Sequence, residues 1–404
     1  MKKLLYILII IFSISSCKRE KRIIEKIDFK TRYKFSSVIK NKLAKDTISW
    51  KYVMAYNDYS NKGDYRNALI NFDITIGEGK EESLTKKEID SINTYYVKVN
   101  AADYINQKAK ESQIVIINEA HHNPSHRVFT KSLLKKLFDQ GYTNLGLEAL
   151  SSHSVLDSSL NKRKYPIQKT GYYTKDPQFG DLIRTALEIG YHVFPYESEN
   201  GSGKQREIEQ AKNIQKVIQE KPNEKFLIHC GYDHALEGSI KSWEKAMAGR
   251  LTEYTGINPL TITQTAYRER SEHKFSPPLL KALDPKEPTI LIDQNNNSLK
   301  HIRKEAWIDI VVFHPITKYV NNRPNWLFEN DNKNIPIRLD DIEIEFPVMV
   351  LAFKKGEDIS IAVPMDITEI TNKSEKVNLG LKKGIYDIVV TNGKESLKFD
   401  KKVK

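Results

Sequence analysis

Cysteine is almost absent. Cys17 and Cys230 are the only two in 404 residues. No disulfide framework can be assembled from them, so a hydrophobic core has to hold the fold. Long apolar runs are missing too: beyond the first residues, none approaches the roughly 18 residues of a membrane-spanning helix. No DNA- or RNA-binding motif is present. The 64 Lys and Arg are mixed with 52 Asp and Glu along the whole length. That distribution argues against a nucleic-acid partner and fits a soluble surface near an anionic membrane. No serine or cysteine occupies a nucleophile elbow, and Cys230 lies in an apolar stretch that reads as an inert buried thiol. The glycine loop from Gly201 to Lys204 lacks the full spacing of a phosphate loop.

The N-terminus is a targeting segment in its pattern. Lys2 and Lys3 precede an apolar run from Leu4 to Phe12 that is too short to span a bilayer. Ile14-Ser15-Ser16-Cys17 resembles a bacterial lipobox. That resemblance implies cleavage after residue 16 and lipidation of Cys17. The chain would then be anchored rather than spanning, in the outer membrane of a cell envelope and facing the periplasm. Cleavage takes two positive charges from the formal +12. Residues 17–40 are charged and weakly patterned, as in a tether.

Residues 41–112 read as a helical segment. Trp50 to Asp73 resembles one tetratricopeptide unit, with Ala55, Tyr56, Ala68, Leu69 and Phe72 at packing positions. A lone unit cannot stack into a solenoid, so a helical hairpin packed on a main domain is expected. Thr85 and Glu88 form a capping box that opens a long helix carrying Ile89, Ile92, Tyr96, Val99 and Ala102.

Between 113 and 330, apolar runs alternate with helical patterns. The runs are Ile114–Ile117, Leu145–Leu147, His192–Tyr196, Phe226–Ile228, Leu260–Thr263, Thr289–Ile292 and Ile308–Phe313. This predicts an α/β core with a mostly parallel sheet flanked by helices. From 335 to 404 the pattern changes to short strands, Ile342–Phe353, Ile359–Val363, Val377–Leu381 and Ile385–Thr391, with Asn392-Gly393 as a two-residue hairpin turn. A small C-terminal β-sandwich without chemistry of its own is expected.

The strand tips carry the chemistry. Three of ten histidines fall between His121 and His126. The first strand ends in Glu119, His121 and His122, the second in Glu148, the third in Glu197, and the fourth in His229 with His234 after a glycine turn. A strand-terminal glutamate alone is usually only solvated. The argument is their coincidence at the carboxyl ends of parallel strands, where α/β sheets bind ligands. Such a set fits a glutamate-assisted histidine base that activates water. It equally fits a divalent metal with an open position. Arg206 reads either as a clamp for a carboxylate or anionic substrate group or as a first-turn surface residue.

These motifs resemble the superfamily that joins the erythromycin esterases, the ChaN-like haem-uptake lipoproteins and the Tiki metalloproteases. Asn118-Glu119-Ala120-His121-His122 looks like its first element, Leu147-Glu148 its second and Gly231-Tyr232-Asp233-His234 its last, while Arg206-Glu207 with Ala211 and Asn213 resembles an esterase element. Asn118 stands where the family has glycine. Glu119 to His122 matches the esterase spacing; Glu119, His121, Asn123 and His126 match the ChaN-like one. The resemblance covers about 112 to 265. It implies a hydrolase of ester or peptide bonds, with His121 or His122 as base, Glu119 and Glu148 as orienting groups, His234 completing the site, and Arg206 and Glu197 binding substrate. A metal, if present, would be held by Glu119, His121 and His234. The alternatives are a haem- or iron-binding lipoprotein with the histidines or Tyr232 as ligands, and a non-catalytic scaffold.

Overall fold

The computed structural model describes residues 22–77, 79–150, 156–199 and 201–404. The expected signal peptide and the lipidation of Cys17 lie outside them. The fold is mixed α/β, with one parallel sheet and several antiparallel ones. Among the described residues no helix is long and apolar enough to cross a membrane.

The parallel sheet has six strands: β1 (Ile114–Glu119), β2 (Tyr142–Leu147), β3 (His192–Pro195), β4 (Lys225–Gly231), β5 (Leu260–Thr263) and β6 (Ile310–Val311). Their order is β6-β5-β1-β4-β2-β3. β1 is buried throughout, as a strand covered on both faces must be. Val115 and Ile117 pack under α1 (Ser125–Asp139) and α2 (Pro177–Ile189). Ile114 and Ile116 pack under α3 (Gly203–Glu220) and α4 (Met247–Thr255). β4 lies between β1 and β2, with His229 in register with Ile117 on one side and Leu147 on the other. This insertion brings the tips of β1, β4 and β2 side by side.

Several expected elements are corrected. The tether is shorter than residue 40, because Glu25–Ile27 pairs antiparallel with Ser396–Lys398 and Ser36–Lys45 is a helix. Within that charged stretch Ile27, Phe29, Tyr33 and Phe35 pack on the C-terminal sheet. The capping box at Thr85 and Glu88 forms, but its helix ends at Tyr95. Val97–Asn100 becomes a strand, since the aromatic and β-branched run Tyr95 to Val99 favours extended backbone. Its partner is Thr289–Ile292, which therefore stands outside the parallel sheet. Of Ile308–Phe313, only Ile310–Val311 joins that sheet.

The C-terminal region is a five-stranded antiparallel sheet with a two-stranded ribbon, Lys333–Ile337 and Val377–Leu381, that shares its core. The strand expected from Ile342 starts at Val348, and Ile359–Val363 makes only an isolated bridge from Ala362 to Ile167. The hairpin turn spans four residues, since Thr391 pairs with Ser396.

The tetratricopeptide-like stretch forms a hairpin of helices Lys51–Asn61 and Tyr65–Ile76. Gly63 makes its turn at φ +75°, and a Cβ there would lie 2.2 Å from the Ile367 carbonyl oxygen. Buried Arg323 locks this junction. It donates to the carbonyls of Gly63 (2.9 Å) and Ile367 (3.1 Å) and to the Asp366 carboxylate (2.5 Å). Lys62 pairs beside it with Glu369 at 2.6 Å. Arg323→Met leaves Asp366 buried and unpaired. It should cost about 3–5 kcal/mol in urea unfolding; a loss below about 1 kcal/mol would show that the junction does not carry stability.

Candidate functional site

The site begins with two carboxylates held by two arginines. Glu119 ends β1 with 1% of its surface exposed. Arg127, in the first turn of α1, donates Nε to Glu119 Oε2 (2.6 Å) and Nη2 to Oε1 (2.7 Å). Its Nη1 faces Asp176 Oδ1 at 3.1 Å. Burial pushes the Glu119 carboxyl up, but Arg127 and His121 outweigh it and hold the group well below the usual carboxylate range. Arg127 is a site residue that sequence reasoning missed. Its signal was a cation at a helix N-terminus, where the helix dipole disfavours one unless an acid compensates.

Glu148, just past β2, accepts from Arg206 Nη2 (2.5 Å) and from the Gly231 amide. Glu197 accepts from Arg206 Nε (3.0 Å) and Nη2 (2.5 Å), and from Gln210 (3.0 Å). Arg206 Nη1 lies 3.1 Å from His234 Nε2. All three guanidinium nitrogens thus face protein groups, and Arg206 takes the carboxylate-pairing role, one of those its position offered. Glu197 serves the same internal pair. His234 Nδ1 lies 2.9 Å from Glu207 Oε2, which also accepts from the Met247 amide at 2.8 Å. Glu207, which the sequence offered only as part of the esterase-like element and without a role, is a site residue. It fixes the His234 ring, and its neighbour Arg206 marked the position.

The three clustered histidines separate. His121 Nδ1 lies 2.9 Å from Glu119 Oε1, so the Nδ1–H donates and Nε2 keeps its lone pair. Its ring stacks on Tyr173, centroids 3.9 Å apart. His122 turns the other way, is 1% exposed and stacks on Phe72 at 3.4 Å. Burial and Arg268 hold its pKa well below the ordinary value. His122 therefore packs among core aromatics, and the structure does not bring it together with the other catalytic candidates. His126 Nδ1 accepts from the Ala120 amide at 3.0 Å, and His229 is buried 3.6 Å from Glu119. Asn118, where the resembled family has glycine, donates to the Tyr232 carbonyl (2.7 Å) and accepts from the Gln264 amide (2.8 Å), tying β1 to its neighbours.

The residues do not fit a metal. Glu119, His121 and His234 are not brought to a common point; among the described residues no three His, Cys, Asp or Glu groups converge on a metal position. Both Glu119 oxygens face Arg127, whose charge repels a cation. Haem fits no better. His122 is covered by Phe72, and the Tyr232 hydroxyl is engaged with His122 Nδ1 at 3.0 Å.

No family model matches the chain, and no curated protein matches it. Solved structures similar in part include the type III effector HopBA1, at 13% identity and TM-score 0.30 over 44% of this chain and 91% of that one. RRSP, a MARTX toxin effector domain from Vibrio vulnificus CMCP6, is 15% identical at TM-score 0.31 over 59% of this chain and 48% of that one. The C-terminal region of Pasteurella multocida toxin is 9% identical at TM-score 0.29 over 84% and 52%. The chain thus spans about half the length of the last two. Likenesses this weak carry no argument about chemistry.

The buried histidines set a pH dependence. His122, His126, His229 and His314 all have folded pKa values below 6.5, chiefly through burial, with His314 pushed down to about 3. A depressed folded value means stability fully present above 6.5 and lost as pH falls below it, at up to about 1.4 kcal/mol per pH unit for each proton. His234 acts oppositely. Burial lowers it, but Glu148 and Glu207 raise it further, so its contribution is full below 6.5 and fades as pH rises through its folded value. The urea midpoint should therefore fall between pH 7.5 and pH 5.5. A midpoint that stays level or rises would contradict the burial of these rings as neutral groups.

Proposed function

We propose that this chain is a metal-independent hydrolase of ester or amide bonds, with His121 as the base that activates water. The observation that carries the reading is the seat of the His121 ring on Gly231. A Cβ there would lie 2.6 Å from His121 Nε2 and 3.3 Å from Glu148 Oε2. The His121 ring therefore packs directly on the Gly231 backbone, where only glycine admits it, and its Nε2 is held on the side of Glu148. His121 takes the water's proton on Nε2. Glu119 stabilises the imidazolium that forms, and Arg127 keeps Glu119 ionised. Glu148 orients the water. His121 then returns that proton from Nε2 to the leaving group, while His234, held by Glu207 at Nδ1 and by Arg206 at Nε2, completes the edge. The positive charge of Arg206 flanks the same edge. Kinship with the erythromycin esterase, ChaN-like and Tiki superfamily is part of this proposal, as is a Cys17 lipid anchor that sets the enzyme at the envelope membrane. The C-terminal region is taken as a structural β-sandwich module. A scaffold role leaves the open His121 nitrogen and its Arg-tied carboxylates without a purpose.

The test is a panel of p-nitrophenyl esters and coumarin-amide peptides on the full chain in detergent. His121→Asn and Gly231→Ala should each lower kcat/KM at least about 100-fold while the melting temperature holds. Exhaustive chelation should leave the rate unchanged. Turnover surviving in His121→Asn would remove the base, and turnover lost to chelation and restored by zinc would replace the mechanism with a metal one.

A further inference from the structure

Gly231 gives the His121 ring its seat but does not fix its orientation. Three contacts hold it: Glu119 at Nδ1, Tyr173 against one face, and the Tyr232 ring edge-on at 5.2 Å. Tyr232 is itself constrained. It has a left-handed backbone (φ +38°), which a bulky residue adopts only when its surroundings enforce it. Its hydroxyl bonds His122 Nδ1 at 3.0 Å. His122 in turn lies flat on Phe72, with rings 3.4 Å apart and 7° from parallel, and meets Tyr56 edge-on at 5.8 Å. Phe72 and Tyr56 belong to the N-terminal helical hairpin, outside the α/β core.

We propose that the hairpin is part of the catalytic apparatus: Phe72 and His122 are positioning residues that fix Tyr232, and through it the orientation of His121. This rests on the hydrolase reading. It assigns His122 a role that its location beneath Phe72 allows, where a proton-transfer role would need contact with the other catalytic candidates. The His122 Nε2 atom is buried without a hydrogen-bond partner. That arrangement is costly for packing alone, and it fits a ring retained for what its other nitrogen holds.

The test uses the full chain labelled with 15N-histidine, the His121 resonances being identified by their loss in His121→Asn. In the wild type, His121 should show the Nδ1–H tautomer. In His122→Ala and in Phe72→Ala its signals should move toward a tautomer mixture. In His122→Asn, whose amide can still bond the Tyr232 hydroxyl, they should return toward wild type. With a turned-over ester, kcat should fall about 10- to 100-fold in His122→Ala with KM within about twofold, and recover in His122→Asn. Unchanged His121 signals in both alanine variants would overturn the proposal. So would equal damage from His122→Ala and His122→Asn. If an alanine variant does not fold, Phe72→Leu and Tyr232→Phe carry the same comparison, since each removes one link and keeps the bulk. The resonances report orientation without turnover. A chain that hydrolyses nothing but shows the shifts would sink the hydrolase reading and leave the positioning intact.

Discussion

The structure turns on one buried positive charge. Arg127 lies between Glu119 at the tip of β1 and Asp176, the residue that caps α2 by accepting from the Gln178 and Phe179 amides. Asp176 also accepts from Ser60 of the helical hairpin at 3.2 Å. One guanidinium thus joins a strand tip, two core helices and the hairpin. Its edge rests on Phe179, 4.8 Å from the ring centroid. Buried ion pairs contribute little net stability against apolar replacements, yet removing one partner is expensive. The arrangement is better understood as fixing geometry. It holds Glu119 ionised in a dry environment, and an ionised Glu119 is what orients the His121 proton onto Nδ1.

Much of this was legible in the sequence, for identifiable reasons. Strands buried on both faces read as unbroken apolar runs, so Ile114–Ile117 and Phe226–Ile228 were visible, and the first polar residue after each marked the tip. Glu119, Glu148, Glu197 and His234 are linked at one edge through Arg206, Gly231 and His121. The order β1-β4-β2 was not legible, because pairing between distant strands leaves no local pattern. Nor was the division between His121 and His122. Adjacent residues in a loop share every sequence attribute, and only the placement of Phe72, about fifty positions upstream, makes one a site residue and the other a core residue. Arg127 was not legible, and Glu207 only as a member of the esterase-like element, because charged residues in the first turn of a helix are usually solvated. Tyr95 to Val99 was misread because helical spacing of apolar residues and strand propensity coincide there.

Charge pairing explains the choice between the chemistries that the sequence left open. A cation site needs carboxylate oxygens free of competing donors. Here Glu119 is filled by Arg127 and His121, Glu148 by Arg206 and Gly231, Glu197 by Arg206 and Gln210, and Glu207 by His234 and Met247. A divalent ion would have to displace a guanidinium from a buried partner. The same pairing engages both arginines with carboxylates of the protein itself. Of the groups that remain, His121 Nε2 lies against Gly231 and on the side of Glu148.

On the hydrolase reading proposed above, a single imidazole nitrogen does the work, and a single nitrogen is only as useful as its aim. Catalysis by a positioned base is sensitive to displacements of about 1 Å, while a histidine on a loop has two soft torsions. The protein removes that freedom from three directions by using Glu119 from β1, Tyr173 from the segment before α2, and Tyr232 from the turn after β4. Two of these are fixed by an element further out: Arg127 for the first, the hairpin and His122 for the last. The hairpin therefore has a physical reason to be present on a fold whose sheet already closes its own core. Its helices bury Ala55, Tyr59 and Ala68 among themselves, and Tyr56 and Phe72 face the layer that holds His122 and Tyr232. A chain selected for the sheet alone would have no use for an aromatic pair at that place.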